Sequence, residues 1–142
     1  MKIFIKCLFA IIFLIILIII IMILSNPLRK SDEKIRADML KLTPIGTSME
    51  DVIKVVENND NWEIQNTWDR GYSMKYGYPT GPHQDSLNHD DSSIIGVKYM
   101  VVSIGSYNFF LVTGETTVYV YYAFDEDSKL VDIAVGKQAV HL

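Results

Sequence analysis

The stretch TTVYVYYAFDEDSKLVDIAVGK, residues 116–137, decides the fold. Its first nine residues alternate. Val118, Val120, Tyr122 and Phe124 fall on one side of an extended chain, and Tyr119, Tyr121 and Ala123 on the other. A period of two in β-branched and aromatic residues reads as a strand. DEDS (125–128) has the length and residue types of a hairpin turn, so KLVDIAVGK (129–137) returns as the partner strand. The set containing Phe124 is assigned to the core, which leaves Tyr119 and Tyr121 on the opposite face.

Outward from this hairpin, IIGVKYMVVSI (94–104) reads as another strand. WEIQNTW (62–68) reads as a further one, with Trp62, Ile64, Asn66 and Trp68 on a single face. Between them, residues 69–93 are rich in Gly, Pro, Asn and Asp and read as one long loop. Upstream the period becomes helical. In LTPIGTSMEDVIKVVE (42–57), Pro44 and Gly46 end one helix and Ser48 caps the next. Asp51, three residues on, takes the place of the usual Glu of a capping box, and Met49, Val52, Ile53 and Val56 form the apolar stripe. SDEKIRADMLKL (31–42) is the preceding helix, with Ser31 at its cap, Asp32 and Glu33 in its first turn, and Ile35, Met39 and Leu42 on one face. Two helices followed by antiparallel strands predict an α+β domain over residues 31–142. Its helices cover one face of a three- to four-stranded sheet and leave the other face partly open.

The chain has 142 residues, room for one such domain beside a different N-terminal element. From Ile3 to Leu24 the only charge is Lys6, and Leu8 to Leu24 is wholly apolar. A helix of that length reaches roughly 33 Å against a bilayer core of about 30 Å, so residues 3–24 are expected to anchor the chain in the lipid bilayer. Residues 25–30 would be a juxtamembrane linker. A cleaved signal peptide has a shorter core and a small-residue exit, whereas here only Ser25 follows the run. Lys2 and Lys6 precede the segment, and Arg29, Lys30, Lys34, Arg36 and Lys41 follow it, which by the positive-inside rule puts the domain in the cytoplasm. The short basic head before a long apolar core points instead to an uncleaved export signal. The expectation taken is a single-pass cell-membrane protein with an extracytoplasmic domain.

Without Lys2 and Lys6, 11 of the 13 basic residues remain against 17 acidic ones, a net charge of −6 for residues 25–142. That balance argues against nucleic acid, which requires a basic face. The sole cysteine, Cys7, lies in the expected membrane span, just before the wholly apolar run, so the domain holds no disulfide and no cysteine nucleophile. Gly46-Thr47-Ser48 before a helix invites comparison with a phosphate cradle, but a P-loop needs a second glycine and a lysine after a strand. Glu50 and Asp51 would also repel an anion there. In HQDSLNHDD (83–91), His83, Asp85 and His89 offer donors of the kind zinc accepts, without the spacing of a helical ligand pair. A metal-binding loop through these three stays as an alternative. Asp132, the one carboxylate inside an apolar run, is expected to be solvated on an edge strand. No catalytic set and no cofactor motif emerges. Tyr119 and Tyr121, with Tyr99 or Lys98 on the neighbouring strand, are the candidate partner-binding residues, since tyrosine pairs rigid area with a polar tip. β-propensity by itself also accounts for them.

LTPIGTSMEDVIKVVE resembles the start of outer-membrane-assembly lipoproteins of the SmpA/OmlA (BamE) type. The aromatic strand with FDEDSKLVDIAV resembles the closing hairpin of that fold and of β-lactamase-inhibitor-like domains. The chain is also similar to small membrane-anchored proteins of low-GC Gram-positive bacteria. The resemblance covers roughly residues 31–68 and 94–137. It implies a non-enzymatic domain whose helices back a sheet that meets a protein or envelope partner on its other face. No lipobox cysteine follows the apolar run and residues 69–93 have no counterpart, so a role in outer-membrane assembly is not carried over. A small immunity-type membrane protein is a further alternative.

Overall fold

The computed structural model describes residues 2–75, 78–80, 94–108 and 114–141. The chain divides into two compact units, Met1–Lys30 and Ser31–Leu142. The first consists of α1 (Lys2–Leu24) and a 3-10 turn (Pro27–Arg29). Asn26 caps that turn by accepting a 2.9 Å hydrogen bond from the Leu28 N–H, and Pro27 fills a position whose N–H needs no partner. Side chains of α1 are described over residues 6–21 only. Among the described residues no helix is long and apolar enough to cross a membrane.

The second unit is α+β. It contains α2 (Asp32–Leu42), α3 (Met49–Glu57), β1 (Glu63–Trp68), β2 (Tyr72–Lys75), β3 (Tyr78–Thr80), β4 (Ile94–Ile95), β5 (Lys98–Asn108), β6 (Gly114–Phe124) and β7 (Leu130–His141). A four-stranded antiparallel sheet runs in the order β1-β5-β6-β7, and a smaller sheet in the order β3-β2-β4. On the helix side of the main sheet, Val118, Val120, Tyr122 and Phe124 are fully buried, as the alternation requires. They share that core with Met100 and Val102 of β5, Ile133 and Val135 of β7, Ile35 and Met39 of α2, and Val52 and Val56 of α3. Burying each such side chain contributes about 1.5–3 kcal/mol.

The segment around Gly46 joins the helices to the closing hairpin. Gly46 adopts φ +89°, which only glycine takes readily, and its N–H donates to the Leu130 carbonyl at 2.8 Å. Leu130 N–H returns a 2.8 Å bond to the Thr47 carbonyl, and Met49 N–H reaches the Ser128 carbonyl at 2.9 Å. Ser48 caps α3 as its spacing predicts: its hydroxyl accepts from the Asp51 N–H at 3.2 Å and donates to the Asp51 carboxylate at 2.7 Å. That bond, with Lys54 beside it, holds the Asp51 carboxyl below the usual range. Ser31 occupies the cap position of α2 but makes no side-chain cap hydrogen bond.

Three expectations change. Residues 69–93 are not wholly loop, because their described parts form β2 and β3, which pair with each other, and β2 also pairs with β4. The face of WEIQNTW is not continuous. A bulge at Gln65 sets Ile64 opposite Val102 and Asn66 opposite Val101, so Trp68 lies on the other face from Ile64. Leu42 does not join Ile35 and Met39 in the core: it sits in the last turn of α2 and is exposed.

Candidate functional site

The face of the main sheet away from the helices carries the residues singled out for binding. β5 presents Tyr99, Val101 and Ser103 there, and β6 presents Tyr119, Tyr121 and Ala123. The small sheet lies over part of it. Tyr72 of β2 is fully buried against Tyr99, Ala123 and Ala134, with Ile95, Val101 and Tyr121 packed around them. The Tyr72 ring stands edge-on to Tyr99 with centroids 6.1 Å apart, and tilted to Tyr121 at 6.1 Å. Tyr99 also stacks on Trp68, centroids 6.4 Å apart with 17° between the planes. Such aromatic pairs contribute about 0.5–1.5 kcal/mol each beyond their area.

The candidate residues therefore differ in access. Tyr99 is buried. Tyr121 is half-buried beneath Tyr72, and Tyr119 is half-buried opposite Gly136 of β7. Trp68, at the margin of this cluster, keeps 40 % of its surface exposed while one face of its indole rests on Tyr99. Burial pushes the Tyr99 hydroxyl up to about 12, with Tyr121 adding to the shift and Arg70 opposing it. Burial, then proximity to Tyr119, also raises Tyr121.

Two glycines let the small sheet approach so closely. A Cβ on Gly71 would collide with the backbone carbonyls of Gly96 and Ile95. Gly96, at φ +72°, would put a Cβ 2.8 Å from the Phe124 carbonyl. Both connections to the small sheet pass through this pair.

Asp132 is not simply solvated. The Arg36 guanidinium donates to one carboxylate oxygen through Nη2 at 2.6 Å, and the Tyr72 hydroxyl donates to the other at 2.8 Å. Arg36 Nε also donates to the Ile133 carbonyl at 2.6 Å. One carboxylate on the edge strand thereby ties α2 on one face to β2 on the other. Burial above all, then the hydrogen bond and charge of Asp132, raise the Tyr72 pKa, with Arg36 opposing. Each member of this set is engaged by the others, which suits a brace better than proton transfer. Neither Tyr72 nor Arg36 stood out in the sequence: Tyr72 sits among turn-forming residues, and Arg36 looks like any basic residue of a short helix.

His83, Asp85 and His89 lie outside the described residues. Among the described residues no three His, Cys, Asp or Glu side chains gather as a metal site would need. No family model, curated protein or solved structure matches the chain.

Proposed function

We propose that the chain is a single-pass membrane protein that displays residues 31–142 as a non-catalytic domain binding a protein or envelope component. Trp68 carries this reading. A large, partly exposed indole held flat on Tyr99, at the edge of a packed aromatic cluster, presents contact area that needs no ordering on binding. Half-buried Tyr119 and Tyr121 extend the surface along β6. Anchoring by α1 is supported by its 23 residues, charged only at Lys2 and Lys6. The large apolar side chains from Leu8 to Ile21 are 37–68 % exposed, a surface that lipid would cover. An extracytoplasmic domain remains part of the proposal.

The test is capture of partners from native membranes by the full chain. Trp68→Ser combined with Tyr119→Ser should abolish capture while far-UV circular dichroism stays unchanged. Undiminished capture by the folded double variant would show that this face is not the binding surface. Protease treatment of wall-stripped cells tests the orientation: loss of the domain supports export, and survival beside a digested surface control overturns it.

A further inference from the structure

β2 and β4 belong to a sheet of their own. Among the described residues no strand of it pairs with a strand of the main sheet. Its pairing is short: Tyr72 lies opposite Ile95 and Ser73 opposite Ile94, and β3 pairs with β2 over Ser73–Lys75. Yet this small sheet hides two of the three tyrosines singled out for binding. Tyr72 packs on Tyr99 and Tyr121, leaving the first buried and the second half-buried.

The chain is fixed to the main sheet on both sides of this excursion. Before it, Trp68 pairs with Tyr99; after it, Val97 N–H donates to the Phe124 carbonyl at 2.8 Å. Between those points the chain leaves through Gly71 and returns through Gly96, whose backbones lie against each other. Gly96 already stands at φ +72°, and neither residue has a Cβ to restrict a large change in φ and ψ. Two adjacent pivots define one axis about which β2 and β4 can turn together.

The polar contact that closes the small sheet can also be released without stranding a charge. The Tyr72 hydroxyl donates to one Asp132 oxygen, while the Arg36 guanidinium holds the other at 2.6 Å. When Tyr72 leaves, the carboxylate keeps its guanidinium. Its side chain is already 26 % exposed, so water can take the vacated place. The surface uncovered is limited too. Tyr99, Tyr121, Val101 and two alanines pack beneath, and the tyrosine hydroxyls gain hydration.

From this geometry we infer that β2 and β4 form a hinged cover over the tyrosine face, closed by Tyr72 on Asp132 and turning about Gly71 and Gly96. The helix side of the main sheet stays packed as it opens. The inference rests on the reading of the sheet face as the binding surface, and adds what controls access to it. The closed form offers Trp68 and Tyr119, and the open form adds Tyr99 and Tyr121.

The test follows nitration of single tyrosines by tetranitromethane, read by mass spectrometry, in the full chain in nanodiscs of zwitterionic lipid. Urea is raised stepwise below the unfolding transition. Tyr99 and Tyr122 are equally inaccessible, at 1 % and 0 % exposure, one beneath the cover and the other on the helix side. Tyr72 and Tyr99 should react together, at least about tenfold faster than Tyr122 and with a weaker dependence on urea. The weaker dependence follows because opening the cover exposes less surface than unfolding the domain. One rate and one urea dependence for all three would mean a single all-or-none unfolding, and would overturn the inference. Gly71→Ala supplies a second measurement. Its Cβ collides with the carbonyls of Gly96 and Ile95, so it should hold the cover open. Tyr99 should then react like an exposed tyrosine, with Tyr122 still protected and unfolding still cooperative. Continued protection of Tyr99 in this variant, or loss of protection at Tyr122 along with it, would also overturn the inference. No partner enters these measurements, so their failure strikes the cover alone. Undiminished capture by the folded Trp68 and Tyr119 double variant strikes the sheet-face reading instead.

Discussion

The two faces of the main sheet are closed by different means. On the helix side, aliphatic and aromatic side chains from four strands and two helices interdigitate, and no single residue dominates. On the other side a small sheet is held by one buried tyrosine, one carboxylate and two glycines. A distributed core tolerates the loss of any polar contact. A face closed at a few points depends on each of them. Perturbations should therefore separate the faces.

The largest effect should come from the distributed core. Phe124→Ala removes a fully buried ring, and thermal or denaturant unfolding should show a loss of about 3–5 kcal/mol. Alkali should come next. Burial raises Tyr99 and Tyr122 to about 12 from the ordinary 10.0, so their stabilisation is complete below pH 10 and is lost as pH rises toward 12. Each pKa unit is worth about 1.4 kcal/mol, so the fall should reach a few kcal/mol. Phenolate absorbance should rise together with unfolding, and an absorbance rise centred on pH 10 without unfolding would contradict it. Tyr72→Phe keeps the ring and removes only the bond to Asp132, so a loss of about 1.5–3 kcal/mol is expected. Hydrogen exchange should then quicken in β2 and β4 while the helix side keeps its protection; equal quickening on both faces would erase the contrast between them. Ser48→Ala, which deletes one helix cap, should cost about 1 kcal/mol in denaturant melts.

The helix side was legible because period is a local signal. Val118, Val120, Tyr122 and Phe124 announce their face by alternation, and Val52 and Val56 by helical spacing. The cap at Ser48 follows from residue type and spacing in the same way. The second face was hidden because nothing local marks it. Tyr72 belongs to a short strand between turn formers, and its partners Tyr99, Ala123 and Ala134 are distant in sequence. The bulge at Gln65 left no sign in WEIQNTW, yet it moved Trp68 to the side where the aromatic cluster forms. Asp132 looked solvated because its two partners come from α2 and β2, neither of which is near it in the chain. Tyr119 and Tyr121 lie on the face that alternation assigns to them, but what covers that face is not readable from them.

The backbone bonds between the Gly46 turn and Leu130 bear on the order in which the domain is made. They join segments near opposite ends of its sequence, and β7 also supplies the surface on which α2 rests. During synthesis α2 and α3 emerge well before that surface exists, with only local helix propensity to hold them. Contacts between distant segments close last and slowly. The helices therefore find their docking surface only once the final hairpin has been made.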